Sequence, residues 1–245
     1  MSAYVRQTII QLRLDARDRI TLVIFYIVPL AFYGVMGAVF SSINPDMQHS
    51  LAATMTIYAI TMGAVIGLPP TLVKLRETKV LRAYRAAGIP SAGVLSGLGV
   101  SALLHVGVVS AVISVSAPLL FGASPPSNLA GFMLVLLAQL FCGVALGLLI
   151  GATAKNQAMA MMLSQAVFLP SLMLSGVMFP ANMLPKPLEL LGLIFPATHA
   201  LRAFMGLAYG LDVNHGTLSL VVLFFIGISA AIVTVWRLAY ITRVN

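Results

Sequence analysis

Six apolar segments dominate the sequence, and each is long enough to cross the hydrocarbon core of a membrane, which takes about 20 residues of helix. The segments are residues 20–42, 51–73, 93–121, 129–153, 158–178 and 218–240. Composition agrees with this interpretation, because only 8% of the residues are charged and 60% are hydrophobic. A soluble domain usually has about 25% charged residues. We therefore predict an all-α membrane protein with six transmembrane helices in a single transmembrane domain, residues 1–245.

Positive charge occurs in alternate connecting segments. Most of the 14 lysine and arginine residues lie in segments 1–19, 74–90 and 154–157 or in the C-terminal tail, and the loops around Pro45 and Pro125 have none. Cytoplasmic loops retain positive charge, so we predict a multi-pass protein of a bacterial plasma membrane with both termini in the cytoplasm. The net charge of +8 is spread between the spans, which favours contact with membrane lipid or a cytoplasmic protein over nucleic acid.

The N-terminal segment, residues 1–19, has the pattern of an amphipathic helix. On a helical projection one stripe is apolar: Val5, Ile9, Leu12 and Ala16. Three arginines follow its edge: Arg6, Arg13 and Arg17. The pattern predicts an interfacial helix that lies in the cytoplasmic headgroup layer with its apolar side towards the lipid. The alternative is a plain basic leader that only sets topology.

Residues 180–216 are apolar in patches and contain four prolines, at positions 180, 185, 187 and 196. Prolines at this density interrupt a helix. We predict short or re-entrant external helices before the sixth span.

The connecting segment 74–90, "KLRETKVLRAYRAAGIP", is the one place where charge is dense. Treated as one helix over residues 74–87, its five cations cover about half of the circumference at about 100° per residue. Glu77 then falls in the apolar arc beside Val80 and Leu81. Two interpretations remain open. Glu77 meets a cation or a backbone N–H in a groove of a partner protein, or it pairs with a neighbouring basic residue and the helix merely marks the cytoplasmic side.

The longer run "LRETKVLRAYRAAGIPSAGVLSGLGVSALLH" resembles the first cytoplasmic loop of type-2 ABC transporter permeases, the membrane subunits of drug, lipid and polysaccharide exporters. The matching positions are Arg76, Glu77, Val80, Leu81, Arg82, Arg85 and Pro90. A second run, "LSGVMFPANMLPKPLELLGLIFPATHALRAFMGL", resembles the external region before the last span of that family. One departure is Thr78-Lys79, at the start of the loop helix, where many relatives have a glycine.

The resemblance implies a permease subunit that exports its substrate by alternating access. The small number of charges within the spans separately favours an amphiphilic substrate, such as a hydrophobic drug or a lipid-like molecule. In that family the loop helix inserts into a groove on a separate ATPase subunit, which binds ATP and Mg²⁺. The implied partners are two ATPase copies and a second permease chain, identical or related. This chain contains no GxxxxGK[ST] sequence for nucleotide phosphates, so we predict that it carries no cofactor and is not itself an enzyme. The predicted ATPase-coupling residues are Arg76, Glu77, Lys79, Val80, Leu81, Arg82, Tyr84 and Arg85.

Polar side chains inside or beside the spans are further candidates, because they are costly at membrane depth. The imidazole of His105 either contacts substrate or gates its path, or it is held neutral by an adjacent helix. Gln139 and Gln165 fit hydrogen bonds between helices better than substrate contacts. In the external region, His199 and Arg202 either contact an anionic group at an outer gate or cap a re-entrant helix.

Glycines recur every four residues on two spans, which places each set on one helix face. The sets are Gly63 and Gly67, and Gly143, Gly147 and Gly151. Close helix packing explains them, either within a subunit or across a dimer.

Two other classes of function remain as alternatives. An intramembrane enzyme would need a nucleophile with a base, or a metal cluster, and the histidines and the single cysteine show no such spacing, so we predict no catalytic and no metal-binding residues. An ATP-independent carrier or channel would be supported by acidic residues within the spans, and the six predicted spans contain none.

Overall fold

Every regular element in the part of the chain that the structure describes is a helix. The computed structural model describes residues 3–43, 50–81, 84, 91–179, 183–211 and 215–244. We number the helices in chain order. Helix α1 is Ala3–Asp15, and α2 runs without a break through Arg19–Leu22, a wide π-helical turn at Val23–Ile27, and Val28–Ile43. Helix α3 runs through Leu51–Thr61, a second π-helical turn at Met62–Gly67, and Leu68–Glu77.

The second half of the chain adds three long and two short helices. Helix α4 is Ser91–Phe121, α5 is Leu129–Thr153 and α6 is Gln157–Leu174. Helix α7 is Lys186–Gly192, α8 is Pro196–Ala203 with a π-helical extension at Phe204–Ala208, and α9 is Gly216–Val244.

Six of these helices are long and apolar enough to cross a membrane: α2, α3, α4, α5, α6 and α9. This confirms the predicted all-α class with six spanning helices. Three ends differ from the predicted bounds by four residues, since α3 continues to Glu77, α6 stops at Leu174 and α9 continues to Val244. The α6 helix stops early because Gly176 has a positive φ of 88° and the Ser175 hydroxyl accepts a hydrogen bond from the Val177 N–H at 3.3 Å.

Helix α3 is the central element of the bundle. In the most apolar stretch of α3, 89% of the residues are buried. The corresponding share is 22% for α2 and 28% for both α6 and α9. A large core joins α3 to α4, α5, α6, α8 and α9, and a second core joins the first half of α3 to α2 and to the C-terminal half of α4. A helix that is apolar on all sides is expected in this central position.

The predicted packing glycines lie where α3 and α5 approach most closely. Gly143, Gly147 and Gly151 all face α3, and a Cβ atom on Gly147 would overlap the carbonyl oxygen of Ala64. Gly63 and Gly67 belong to the π-helical turn of α3 and adjoin Phe25 of α2. All five glycines therefore meet residues of the same chain.

The two short helices α7 and α8 meet at a bend of 90° beyond the C-terminal end of α6. The turn is closed by side chains at the start of α8. The Thr198 hydroxyl donates to the carbonyl oxygen of Gly192 at 2.5 Å, and His199 Nε2 lies 2.9 Å from the carbonyl oxygen of Leu193. Pro180 of the predicted re-entrant region lies outside the described residues, and the re-entrant path stays a prediction.

Helix α1 packs against α4 through its polar side. Gln7 and Gln11 are buried, and Gln7 lies beside Gly97 of α4. Three apolar side chains are instead exposed: Val5, Ile10 and Leu14. An exposed apolar side suits contact with lipid, and the interfacial position of α1 stays a prediction.

Candidate functional site

The end of α3 is where the chain leaves the apolar bundle. Helical hydrogen bonding ends with Thr78 N–H donating to the Lys74 carbonyl at 3.0 Å and Lys79 N–H donating to the Arg76 carbonyl at 3.1 Å. Lys79 has a left-handed φ of 59°. A left-handed residue stops an α-helix. The prediction of one helix over residues 74–87 is therefore wrong, and its helical projection does not hold.

The predicted coupling residues are distributed on both sides of this break. Glu77 and Lys79 are exposed, Arg76 and Val80 are half-buried, and Leu81 is 7% exposed within the large core. Tyr84 packs against the same core. Arg82 and Arg85 lie outside the described residues. Among the described residues of this segment, the exposed ones belong to the end of α3 and to the turn at Thr78 and Lys79.

The Arg76 side chain turns back towards the bundle. Its Nη1 atom donates to the carbonyl oxygens of Gly151 at 2.9 Å, Ala152 at 3.3 Å and Ala154 at 2.8 Å. The last carbonyls of a helix have no partner within the helix, and a cation there also interacts favourably with the helix dipole. Arg76 therefore caps the C-terminal end of α5.

Glu77 contacts the next helix. Its Oε2 atom accepts a hydrogen bond from Gln157 Nε2, the first residue of α6, at 3.0 Å. Neither of the two interpretations of Glu77 from the sequence included this contact.

A small polar cavity of about 120 Å³ adjoins these residues and is lined in part by Asp18, Thr71, Lys74 and Gln157. Asp18 caps α2: its carboxylate accepts hydrogen bonds from the Thr21 hydroxyl at 2.8 Å and the Ile20 N–H at 3.2 Å. The Thr21 hydrogen bond is the main cause that holds the pKa of Asp18 below its usual value, and the charge of Lys74 adds to it. The carboxylate of Asp18 is therefore ionised at neutral pH.

His105 belongs to a polar network that joins three helices. Its Nδ1 atom lies 2.6 Å from the Tyr26 hydroxyl of α2, and its Nε2 atom lies 3.8 Å from Asp15 Oδ2 of α1. The other partners of Asp15 are the Ser101 hydroxyl at 2.6 Å and Gln11 Nε2 at 2.8 Å. The network connects α1 and α2 to α4 at residues that are buried or nearly so.

The remaining polar candidates lie in three separate places, and His199 and Arg202 share helix α8. Gln139 is buried in α5, and its Oε1 atom has no hydrogen-bond partner among the described residues. Gln165 is exposed on α6. Beyond the other end of α6, Arg202 lies 3.9 Å from Glu189, and His199 closes the turn between α7 and α8. The structure does not bring these candidates together into one site.

The residues of these arrangements that are not predicted from the sequence include Asp15, Gln157 and Tyr26. A signal for Asp15 exists, because Gln7, Gln11 and Asp15 recur every four residues and form a polar stripe on α1. Gln157 and Tyr26 have no local signal, since their partners are distant in the chain. Among the described residues, no group of three His, Cys, Asp or Glu side chains is close enough to hold a metal ion.

An all-helical bundle with six helices able to span a membrane, and with polar contacts at the end of its central helix, defines a multi-pass membrane protein. Residues 5–209 match the family model described as ABC-2 type transporter, and the chain belongs to this family. An 83-residue stretch is 35% identical to ABC transporter G family member 20 of Dictyostelium discoideum. That stretch is 33% of this chain and only 11% of the relative. The chain is thus a type-2 ABC permease, a transport component.

Proposed function

We propose that this chain is the membrane subunit of an ATP-driven exporter, with two copies of a separate ATPase that bind ATP and Mg²⁺. The subunit moves an amphiphilic substrate, a drug-like or lipid-like molecule, out of the cytoplasm or the inner leaflet. Transport proceeds by alternating access, and the ATPase acts on the segment that follows α3.

The observation that carries this proposal is the end of α3. The most buried helix of the bundle ends in an exposed turn, and the chain leaves it through Thr78 and Lys79. A force that passes from this turn into α3 reaches the centre of the bundle. No other described helix combines this degree of burial with an exposed, charged end.

A second permease chain is supported by Gln165. The amide is exposed in the middle of α6, beside the exposed apolar side chains of Met161, Met162 and Leu169. A polar amide in contact with lipid is costly and gains from a partner on another helix. We propose that this side of α6 faces the second chain or the substrate path.

An amphiphilic substrate is supported by an apolar groove of about 300 Å³ between α4, α5 and α9. Gly99 and Ala145 leave the space, and Val100, Phe141 and Val235 contribute to its walls. Such a groove suits an aliphatic or aromatic group and offers nothing to a small ion.

Site-directed cross-linking tests the proposed partner. Thr78→Cys and Lys79→Cys, each made in a Cys142→Ala background, are labelled with a photoactivatable maleimide in membranes that also contain the ATPase subunit. We expect cross-links to the ATPase from both positions. The control is Lys186→Cys in α7, which is equally exposed but lies beyond the opposite end of α6, and we expect no cross-link from it.

Two results would contradict the proposal. One is the absence of cross-links from every position between 78 and 87. The other is a rate of ATP hydrolysis that does not change when the permease is added to the ATPase subunit in phospholipid nanodiscs.

A further inference from the structure

Arg76 and Glu77 are consecutive residues, and they hold the ends of two different helices. Arg76 binds three carbonyl oxygens at the C-terminal end of α5, and Glu77 binds the first residue of α6. Only residues 154–156, which we call the α5–α6 turn, separate these helices. The two side chains therefore connect both ends of the α5–α6 turn to the last residues of α3.

Apolar packing makes the same junction compact. Val73 of α3, Ala154 of the α5–α6 turn and Ala160 of α6 are all fully buried and form one cluster. Next to it, a Cβ atom on Gly151 would lie 3.0 Å from Leu72 Cβ and 3.1 Å from the Pro69 carbonyl oxygen. Close packing resists relative motion, because neighbouring groups have no free volume to move into.

The break at Lys79 comes directly after Arg76 and Glu77, with only Thr78 between Glu77 and Lys79. A displacement of the chain beyond Thr78 could be absorbed there by rotation about a few backbone bonds. It reaches the bundle only if the last turn of α3 is held to its neighbours. The side chains of Arg76 and Glu77 provide that connection on the polar side, and Val73 provides it on the apolar side.

We propose that Arg76 and Glu77 are positioning residues that couple the segment after α3 to α5 and α6 through the α5–α6 turn. This inference rests on the proposed function, in which the ATPase acts on that segment. Glu77 then works through Gln157 and not by contact with the ATPase. What matters is the hydrogen bond between a carboxylate and an amide. The carboxylate can lie on α3 and the amide on α6, or the reverse.

A reciprocal exchange separates these two roles of Glu77. Glu77→Ala removes the acceptor, and Gln157→Ala removes the donor. The double variant Glu77→Gln/Gln157→Glu restores an amide–carboxylate hydrogen bond in the reverse direction. It also leaves residue 77 without a charge, so any direct ion pair with the ATPase stays lost.

The readout is a fluorescent bimane on Lys155→Cys, an exposed position in the α5–α6 turn, in a Cys142→Ala background. The permease–ATPase complex in nanodiscs is compared without nucleotide and with ATP and vanadate. We expect a spectral shift in the complex with Glu77 and Gln157 intact. Each single variant should reduce the shift by about two- to tenfold, the range expected for one lost hydrogen bond. The double variant should restore it, and the ATPase should co-purify with all four forms.

Three results would overturn the proposal. Failure of the double variant to recover, together with loss of ATPase co-purification in Glu77→Ala, would assign Glu77 to the ATPase interface. An unchanged shift in both single variants would show that the side-chain contact transmits nothing, and the proposed function would survive. A complex whose label does not respond to nucleotide at all would overturn the proposed function as well.

Discussion

Lys79 shows how a single backbone conformation separates α3 from the segment that follows it. Its φ of 59° lies in the left-handed region, which glycine adopts more readily than any other residue. The break occurs here without a glycine. Since neither glycine nor proline marks the position, the helical pattern of the sequence continues through it, and the predicted helix over residues 74–87 followed that pattern.

Replacement of Lys79 by glycine should therefore stabilise the protein. A non-glycine residue in the left-handed region costs about 1–2 kcal/mol, and glycine gives back part of that gain through the greater freedom of the unfolded chain. We expect Lys79→Gly to raise the free energy of unfolding by about 0.5–1 kcal/mol, measured by denaturant titration in mixed micelles. The matched control is Lys79→Ala, which removes the same charge without relieving φ. Equal stability of the two variants would contradict the explanation.

At the scale of elements, the contact between α5 and α3 depends on glycines of α5, which have no side chain. A Cβ atom on Gly147 would overlap the Ala64 carbonyl oxygen in the π-helical turn of α3, and this backbone atom cannot move aside alone. The four-residue spacing of the glycines predicted a packing face. The partner helix could not be predicted, because small residues at such spacing suit any close neighbour.

Gly147→Ala should force α5 away from α3. We expect a loss of about 1–3 kcal/mol in the free energy of unfolding, the usual cost of an overpacked core, in the same denaturant titration. Gly107→Ala is the matched control, because a Cβ atom at Gly107 would have no atom within 4 Å. A Gly147→Ala variant as stable as this control would show that the two helices are not in close contact.

Helix α1 illustrates an element whose type was predictable and whose contact with the bundle was not. The apolar stripe at Val5, Ile9, Leu12 and Ala16 predicted a helix with its apolar side towards the lipid, and it gave no contact for the polar side. In the structure the opposite, polar side makes the contact with α4, through Gln11, Asp15 and Ser101. Buried polar groups require partners, and those partners lie on a helix about 90 residues further along the chain.

Asp15→Ala should loosen α1 from the bundle, because it leaves Ser101, Gln11 and His105 without the carboxylate. A hydrogen bond to a charged group is worth about 1.5–3 kcal/mol. We therefore expect maleimide to label a buried reporter, Gln7→Cys in a Cys142→Ala background, about tenfold faster or more. Asp18→Ala is the control, since Asp18 caps α2 and makes no hydrogen bond to α4. The same labelling rate in both variants would contradict docking through Asp15.

At the scale of the whole molecule, the six spanning helices place alternate connections on opposite sides of the membrane. The α5–α6 turn lies at the end of the bundle that contains Glu77, and α7 lies beyond the other end of α6, where Gly192 packs on Leu174. Together with the distribution of lysine and arginine, this predicts that Lys155 faces the cytoplasm and Lys186 the outside.

Membrane-impermeant maleimide tests this orientation on intact cells. We expect Lys186→Cys to be labelled in intact cells, and Lys155→Cys only after permeabilisation, both in a Cys142→Ala background. Both positions are exposed, so accessibility differs only by side. Labelling in the reverse order would invert the topology and would place the end of α3 outside the cell.

The sequence by itself determined the class of the fold, the number of spanning helices and most of their limits. It could do so because a chain in lipid must satisfy its backbone hydrogen bonds within each helix, so that length and hydrophobicity of a local segment decide the element. The tertiary structure alone decided the partners of Arg76 and Glu77 and the pairing of Asp15 with Ser101, all between residues 75 to 86 positions apart in the chain. Those contacts depend on which helices become neighbours, and hydrophobic packing around α3 determines that arrangement without leaving a local signal in the sequence.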